Sequence, residues 1–423
     1  MAILRDKLGS NMSLLYFVTL SSYPLPGGLT NRTNNLIRQL IKHGINLRLI
    51  SPLLFKEFHN IEELNYIKSD PFKIISRSKR NYIQRLIQRL SLSVQRSSLP
   101  LLAFVVFFTL FRHILQSKGI LSKNKRIIIQ YMDERAFLPA FLSKVLSRMF
   151  GFNVIIVGDD ITLRYRLLKR PLSYIVKLYE IFLVRYTDII TTSFKLCYYL
   201  MKDIRKGRPT LFVPNGINTE DYPSSIDYGK KDFRKIIFIS STLGEQNVLA
   251  LNTLLEIAKA FSNEQKYRDV QFWVVGKAGL YLQKIMKDKY PDNIVRRRIK
   301  VFGVVPYSKL KELYERAGIG ILPYFGKAAH SSQRIKALEY FAWGLLVVSS
   351  IDDLIGFSGL KANVHCIAVS SKDEMISKLK AILENPLKYI NIAQNGRAFI
   401  LENYSWDKVT RKYISTIKGL LLT

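Results

Sequence analysis

The stretch SSQRIKALEYFAWGLLVVSS, from Ser331 to Ser350, predicts a helix, a glycine stop and a buried strand. Its apolar residues first recur at helical spacing, and after Gly344 they form a continuous run of strand length. Glu339 lies within the apolar part of this helix, one turn after Lys336. An unpaired carboxylate there is costly unless a ligand or a cation meets it, so the stretch points to chemistry as well as to fold.

Outward from this stretch, strands and helices alternate along the whole chain. Strand-length apolar runs occur in both halves: LLYFVTL (14–20), INLRLISP (45–52), RIIIQY (126–131), NVIIVGDD (153–160), DIITTS (188–193), KIIFIS (235–240), VQFWVVG (270–276), IKVFGVV (299–305), IGILPY (319–324) and HCIAV (365–369). Such alternation predicts an α/β fold with two Rossmann-like doubly wound domains. The turn-rich segment 213–232 marks the boundary, and the two domains are expected to face a cleft.

The composition is globular and strongly basic. The chain has 423 residues, 48% of them hydrophobic, and 65 Lys and Arg against 32 Asp and Glu give a net charge of +33. This charge indicates an anionic partner: nucleic acid, an anionic membrane surface or a phosphorylated substrate. The two cysteines lack disulfide or metal spacing, which favours a reducing compartment. Neither GxGxxG nor GxxxxGK[ST] occurs, and the five histidines have no ligand-like spacing.

Two segments, near 77–115 and 163–186, predict contact with a membrane. LPLLAFVVFFTLF (99–111) is almost wholly apolar, but its 13 residues fall short of the roughly 20 that span a bilayer. A core helix, an interfacial contact and a true span all stay open for it. NYIQRLIQRLSLSVQR (81–96) predicts a basic amphipathic helix that lies on anionic lipid, with a surface helix docked on the core as the alternative, and 163–186 is a second basic, aromatic run. Without a recognisable signal peptide, we expect a cytoplasmic protein that is peripheral on the cytoplasmic face of a membrane.

Several segments resemble one family of enzymes. VPNGINTEDY (213–222) resembles the hinge motif of glycosyltransferases with two Rossmann-like domains, the GT-B architecture, and more narrowly of the retaining glycosyltransferase family 4, the glycosyl transferases group 1. Segments 185–200, 301–324, 334–350 and 401–417 resemble further parts of that family, in the right order. The resemblance implies an acceptor-side domain over 1–212, a nucleotide-sugar domain over 213–402 and a helix over 403–423 that crosses back to the first domain.

The resemblance also implies a donor site on the helix near Ser331. A diphosphate fits the N-terminal end of a helix, where backbone N–H groups are free. Ser331 and Ser332 would cap the helix and donate to the donor, Arg334 and Lys336 would supply positive charge, and Glu339 would accept from the ribose hydroxyls. The alternative for the last two is a surface ion pair at i, i+3 spacing.

Further donor contacts follow from the same resemblance. Gly303 and Val304 resemble the turn where the base rests against the backbone, and Asn215 of the hinge motif is assigned to donor binding. Gly27 and Gly28 match the glycine loop that approaches the donor phosphates and the acceptor, because a glycine pair lets the backbone come close to a ligand. For both glycine segments the alternative is a plain turn.

Three departures from the family are visible. The family's E-x7-E pattern has Ser331 in place of its first glutamate. Segment 240–251 lacks the family's Arg and Lys, so Arg334, Lys336 or Lys327 is expected to hold the diphosphate. The histidine expected after RIIIQY is absent, which leaves Asp159 ahead of Asp133 as the catalytic candidate in the first domain. A helix N-cap pair is the alternative for Asp159 and Asp160.

The predicted function is transfer of a hexosyl group, with retention, from a nucleotide-diphosphate sugar to a glycan or lipid-linked acceptor. By the resemblance, neither a metal ion nor a cofactor is needed, because the helix dipole and the cations neutralise the leaving diphosphate. A GT-B nucleotide-sugar epimerase is one alternative. A basic nucleic-acid-binding protein is another, although no helix-turn-helix, RNP-like or zinc motif supports it.

Overall fold

The computed structural model describes residues 14–20, 28–51, 55–69, 99–117, 126–132, 134–163, 171–240, 244–262, 264–289, 293–326 and 333–422. The chain divides into two compact units. The first contains Met1–Pro214 and Val409–Thr423, and the second contains Asn215–Lys408. Each unit is built on one sheet whose faces are covered by helices, so the predicted α/β fold with two doubly wound sheets is confirmed.

The first unit has a seven-stranded sheet. Its strands are β1 (Leu14–Thr19), β2 (Leu47–Ile50), β3 (Phe55–Phe58), β4 (Arg126–Met132), β5 (Asn153–Asp159), β6 (Ile189–Thr192) and β7 (Thr210–Phe212), and its helices are α1 (Gly28–Lys42), α2 (Ile61–Ser69), α3 (Leu99–Gln116), α4 (Phe137–Met149), α5 (Leu172–Tyr186) and α6 (Lys195–Arg205). The strand order is β3-β2-β1-β4-β5-β6-β7, and only β3 is antiparallel to its neighbour. β4 is buried from Ile127 onward, as expected for a strand covered on both faces.

The direction of the crossovers sorts the helices between the two faces. α1 connects β1 to β2, whereas α4, α5 and α6 connect strands that follow one another in the opposite direction. Right-handed crossovers therefore put α1 on one face and α4–α6 on the other. α3 shares the core of the second group, because Val106, Leu110 and Ile114 belong to the same buried cluster as Phe137 and Leu183.

α3 contains the apolar segment 99–111, for which the sequence leaves a core helix, an interfacial contact and a membrane span open. Val106, Leu110 and Ile114 form a buried stripe at a spacing of four residues, while Phe104 and Phe108 are exposed. The part of this segment whose side chains the structure describes, 103–111, is thus half core and half surface. Within the described ranges, no helix has the length and apolar character needed to cross a bilayer. The predicted amphipathic helix 81–96 lies outside the described residues.

The second unit has a six-stranded, fully parallel sheet. Its elements are β8 (Asp232–Ile239), α7 (Glu245–Ser262), β9 (Gln271–Val275), α8 (Lys277–Lys289), α9 (Asn293–Arg298), β10 (Ile299–Gly303), α10 (Tyr307–Arg316), β11 (Ala317–Leu322), α11 (Ile335–Ala342), β12 (Leu346–Ser350), α12 (Ile351–Leu354), β13 (Ile367–Val369), α13 (Lys372–Glu384) and α14 (Ile390–Asn403). The strand order is β10-β9-β8-β11-β12-β13.

α11 packs unusually close to this sheet. A Cβ at Gly320, in the middle of β11, would collide with the ring of Tyr340 on α11. The Tyr340 hydroxyl in turn accepts from the backbone N–H of Ile239, at the end of β8, at 2.8 Å. The glycine therefore lets α11 sit directly over the sheet, and the tyrosine fixes that helix to β8.

The last helix, α15 (Trp406–Leu422), starts among the residues of the second unit and from Val409 belongs to the first. Within the first unit, the Tyr413 hydroxyl donates to the side-chain oxygen of Gln130 on β4. Both partners are buried, so this bond ties the C-terminal helix to the centre of the seven-stranded sheet.

Candidate functional site

The second unit brings its functional side chains to the point where the strand order reverses. From β8 the chain proceeds outward through β9 to β10, then returns to β11 beside β8 and proceeds the other way to β12 and β13. Ligands of doubly wound sheets bind beyond the carboxyl ends of the strands at such a point. Here α7 follows β8 and the segment leading to α11 follows β11. Tyr324, Arg334, Lys336, Gln246 and Asn247 belong to these two connections.

Tyr324, two residues after β11, lies at the centre of this cluster. The guanidinium carbon of Arg334 is 3.9 Å from the centroid of the tyrosine ring. The ammonium of Lys336 donates to the Tyr324 hydroxyl at 2.7 Å. That hydroxyl donates to Oδ1 of Asn247, in the first turn of α7, also at 2.7 Å. One tyrosine thus holds two cations and links them to the connection after β8.

Arg334 is held on two sides. Its Nε donates to Oδ1 of buried Asp353 at 2.9 Å, and its Nη1 donates to Oε1 of Gln246 at 2.7 Å. Burial raises the pKa of Asp353 to about 6, although the positive charge of Arg334 acts in the opposite direction. Because Arg334 is only 7% exposed, its guanidinium is fixed in place before any ligand arrives.

Lys336 lies in an aromatic environment. Its Nζ is 4.7 Å from the ring centroid of Phe238 and 5.3 Å from that of Tyr324. Burial, together with the neighbouring charge of Arg334, lowers the pKa of Lys336 to about 7. Cation–π contacts favour the ammonium form, but they do not replace the water that the lysine has lost. A negatively charged group of a ligand beside this lysine would raise the pKa of Lys336 again.

Glu339 does not pair with Lys336, so the alternative of a surface ion pair is not observed. Its Oε2 accepts from the Tyr314 hydroxyl at 2.8 Å. Burial raises the pKa of Glu339, partly offset by this bond and by the charge of Lys336. The Glu339 carboxylate also acts on Tyr307, because burial and the charges of Asp221 and Glu339 raise the pKa of Tyr307 to about 12.

Asn215 joins the cluster through the residue before Arg334. Its backbone N–H donates to Oε1 of Gln333 at 2.6 Å, and both residues are buried. The Nε2 of Gln333 is buried and has no hydrogen-bond partner among the described residues. The predicted hinge asparagine and the start of α11 are thereby adjacent.

Gly303 and Val304 lie at the end of the edge strand β10, two strands from β8. Gly303 has a φ of +64°, which favours glycine, and its carbonyl accepts from the N–H of Gly276 at 2.6 Å. Val304 is 68% exposed. Both residues are at the carboxyl edge of the sheet, as predicted, but no side-chain contact connects them to Arg334 or Lys336.

The start of α11 differs from the prediction. The helix begins at Ile335, with Arg334 as its extended N-cap residue and no side-chain cap. The helix therefore begins four residues after Ser331, and the contacts predicted for Ser331 and Ser332 stay predictions. The bonds of Gln333 to Asn215 and of Arg334 to Asp353 hold the preceding residues in an extended path. Ser331, Ser332 and Lys327 themselves lie outside the described residues.

In the first unit, the carboxylate of Asp159 lies in a buried ion pair. Its two carboxylate oxygens accept from Nε and Nη2 of Arg32, at 3.0 and 2.9 Å, and Oδ1 also accepts from the Thr191 hydroxyl. Both charged side chains are buried. The last residue of β5 thus binds α1 through Arg32, and the catalytic role of Asp159 stays a prediction. Asp160, with a φ of +56°, accepts from Ser193.

The other predicted residues of the first unit are only partly covered. Gly28 is the first residue of α1, whereas Gly27 and Asp133 lie outside the described residues. In the second unit, the sequence analysis did not single out the partners of the two cations: Gln246, Asn247, Tyr324 and Asp353. Their one available signal is their position in the segments that follow β8, β11 and β12.

Comparison with known proteins agrees with this geometry. Residues 234–385 match the family model described as Glycosyl transferases group 1. An uncharacterized glycosyltransferase of Methanocaldococcus jannaschii is 22% identical over 214 residues, which are 49% of this chain and 53% of that protein. The chain thus spans about half the length of the curated relative that it matches.

Solved structures extend the likeness over nearly the whole chain. Sucrose-phosphate synthase from Thermosynechococcus elongatus has a TM-score of 0.68 at 14% identity, over 96% of this chain and 99% of that chain. HepE of Anabaena, in complex with UDP and glucose, has a TM-score of 0.62 at 12% identity, over 96% and 100%. At these identities the likeness shows the fold alone. The predicted GT-B fold is confirmed, and residues 234–385 resemble the glycosyl transferases group 1.

Proposed function

We propose that this protein is a retaining, metal-independent glycosyltransferase that takes a hexosyl group from a nucleotide-diphosphate sugar and passes it to a hydroxyl of a glycan or lipid-linked acceptor. The observation that carries the proposal is the convergence of Arg334 and Lys336 on Tyr324, at the reversal point of the second sheet. Two cations at this position suit a ligand with two adjacent phosphates. The class of reaction agrees with the family match to residues 234–385.

The reaction assigns a definite task to these cations. The bond between the anomeric carbon of the sugar and the β-phosphate oxygen breaks, and its electron pair leaves with the diphosphate. The acceptor oxygen forms the new bond to that carbon, and its proton passes to a phosphate oxygen of the leaving diphosphate. Negative charge therefore develops on the diphosphate, and fixed positive groups beside it lower the barrier. Arg334, held by Asp353 and Gln246, is such a preorganised group.

Glu339 is the candidate for the ribose. Burial raises its pKa, and one oxygen already accepts from Tyr314. A carboxylate accepts from both hydroxyls of a diol, and such charge-assisted bonds are stronger than neutral ones. Tyr307, 53% exposed and close to the carboxylate, provides an aromatic surface beside that position. Retention of configuration and the absence of a metal requirement rest on the family resemblance.

The proposal is tested by thermal unfolding in the presence of UDP, GDP, ADP and their sugars, with inorganic phosphate as the comparison. UDP and UDP-glucose are the first probes, because HepE was solved with them. A ligand that binds only the folded state raises the unfolding temperature. We expect one nucleotide series to do so in EDTA, and Lys336→Met and Glu339→Gln to reduce the shift.

The same panel contains the contrary outcomes. If no nucleotide diphosphate stabilises the chain, or if Lys336→Met and Glu339→Gln respond like the unmodified protein, the donor site is wrong. If the donor is epimerised with no acceptor present, the reaction class is wrong. A requirement for a divalent ion would overturn metal independence.

A further inference from the structure

α4 exposes a stripe of apolar side chains. Leu138, Leu142, Val145 and Met149 recur at helical spacing, and all four are exposed, Met149 by 77%. The helix also buries polar side chains beside apolar ones: its buried residues are Phe137, Pro139, Ala140, Ser143, Lys144 and Ser147, and Lys144 pairs with Asp188 at 2.5 Å. A surface helix normally buries its apolar stripe, and an exposed one is a feature of interaction surfaces.

The exposed apolar surface continues onto the helices on either side of α4. On α3, Phe104 and Phe108 are exposed, and Phe111 contacts Phe150 at the end of α4, with ring centroids 5.9 Å apart. On α5, Leu178 is 70% exposed, and Phe182 packs its ring edge-on to Phe141 of α4 at 5.3 Å. We define the three-helix face by the exposed residues Phe104, Phe108, Leu142, Met149, Leu178 and Phe182.

The exposed charged side chains of α3, α4 and α5 are all basic. α3 and α4 contain no Asp or Glu, and the one acid of α5, Glu180, is 1% exposed. Arg112, Arg148, Lys177 and Arg185 are all exposed. An apolar surface flanked by basic side chains matches the two features of an anionic bilayer, its hydrocarbon and its negative headgroups.

We propose that the three-helix face is a docking surface for a lipid bilayer that contains anionic lipids. The helices would lie in the plane of the membrane, with their exposed apolar side chains below the headgroups and the arginines and lysines among the phosphates. None of the three helices has to span the bilayer. The inference concerns only the first unit, so it does not depend on the proposed donor site.

A second copy of the chain fits this face less well. A two-fold dimer would place the same surface on both sides of the interface, with each residue facing its counterpart or a neighbour. Basic side chains would then meet basic side chains across the contact, with no exposed acid on α3, α4 or α5 to balance them. Anionic lipids supply the missing negative charge, and the net charge of +33 acts in the same direction.

The experiment is co-sedimentation of the full chain with vesicles of phosphatidylcholine, with or without phosphatidylglycerol. The test variant is Leu142→Glu/Leu178→Glu, and the matched control is Val364→Glu/Leu387→Glu, which changes two exposed apolar residues of the second unit by the same charge. We expect the protein to bind the anionic vesicles, the control to bind equally well, and the test variant to bind about 100-fold more weakly.

A second measurement avoids any effect of the glutamates on folding. Leu142→Trp keeps the position apolar, and brominated lipids should quench the fluorescence of the new tryptophan. In Leu387→Trp, brominated lipids should cause no more quenching than in the unmodified protein. Absence of vesicle binding, equal binding by the test and control variants, or equal quenching at the two tryptophans overturns the proposal. A dimer that becomes monomeric in Leu142→Glu/Leu178→Glu would assign the face to a second copy and overturn it as well.

Discussion

The guanidinium carbon of Arg334 lies 3.9 Å from the centroid of the Tyr324 ring, although the two residues are ten positions apart in sequence. The hydroxyl of the same tyrosine accepts from Lys336 and donates to Asn247. Tyr324 therefore contacts both cations, Arg334 through its ring and Lys336 through its hydroxyl. Because the two contacts use different parts of one side chain, a mutation can remove one and keep the other.

Tyr324→Phe should weaken donor binding while leaving the fold intact. The phenylalanine keeps the surface beneath Arg334 but removes the acceptor for Lys336 and the donor to Asn247. Loss of one charge-assisted bond at the site should make the dissociation constant of the nucleotide sugar about tenfold larger, which corresponds to about 1.4 kcal/mol. Calorimetric titration with the stabilising nucleotide sugar measures the effect. Tyr199→Phe, at an exposed tyrosine of the first unit, is the control. Equal affinities for both variants would contradict the role of the hydroxyl.

Donor binding should depend on pH through Lys336, whose pKa is lowered to about 7 by burial. A bound diphosphate favours the ammonium and raises that pKa, so binding above pH 7 takes up a proton. Affinity for a nucleotide sugar should therefore fall as pH rises from about 7 to 9. A nucleotide sugar is the right probe, because its diphosphate has no terminal phosphate that titrates in this range.

Two measurements isolate this lysine. Calorimetry in buffers with different ionisation enthalpies should report proton uptake for the unmodified protein and much less for Lys336→Met. Lys336→Arg keeps its charge at all these pH values and should bind with little pH dependence. An unchanged pH dependence in Lys336→Met would assign the titration to another group.

The sequence predicts the strands of the sheets well and the site only in part. β4 and β8 follow from apolar runs that are local in sequence: RIIIQY corresponds to Arg126–Met132, and KIIFIS lies within one residue of the end of β8. The partners of the cations are not local. Tyr324 and Asn247 are 77 residues apart, and Arg334 and Gln246 are 88 apart. No periodicity carries such pairings, because they depend on how the connections meet above the sheet.

α4 shows a second limit. Its pattern of apolar residues predicts a helix correctly, but the pattern alone does not say which stripe faces the sheet. The structure exposes Leu142 and Met149 and buries Ser143 and Ser147. In sequence α4 lies between 77–115 and 163–186, the segments predicted to contact a membrane, and that contact stays a prediction.

Lys231 should make stability depend on pH. Burial lowers its pKa to about 7, and it donates to the carbonyls of Tyr314 and Trp343, at 2.6 and 2.8 Å. Between pH 7 and the unfolded value near 10.5, the unfolded chain binds more protons than the folded one at this lysine. The contribution of Lys231 to the free energy of unfolding therefore rises with pH across that window, by up to about 1.4 kcal/mol per pH unit.

The contribution of Lys231 is measured by urea unfolding at pH 7, 8 and 9, compared with Lys231→Met. The variant should show a smaller rise in the free energy of unfolding with pH, since methionine does not titrate. Lys230→Met, at the neighbouring exposed lysine, should behave like the unmodified protein. Parallel curves for Lys231→Met and the unmodified protein would contradict a depressed pKa at this lysine.

Asp159→Asn should act on the stability of the first unit before it acts on catalysis. The substitution leaves Arg32 buried without its counter-charge, which costs about 3–5 kcal/mol when one partner of a buried ion pair is removed. Asp203→Asn, on the exposed side of α6, should change the free energy of unfolding by less than about 0.5 kcal/mol. The double variant Asp159→Asn/Arg32→Met removes both charges and should recover much of the loss, because an apolar replacement of a buried pair is often close to neutral. Urea unfolding and turnover are measured on all three variants. Wild-type stability in Asp159→Asn with a large loss of turnover would return Asp159 to the catalytic role that the sequence predicts, since a carboxylate that only holds Arg32 cannot be removed without cost to the fold.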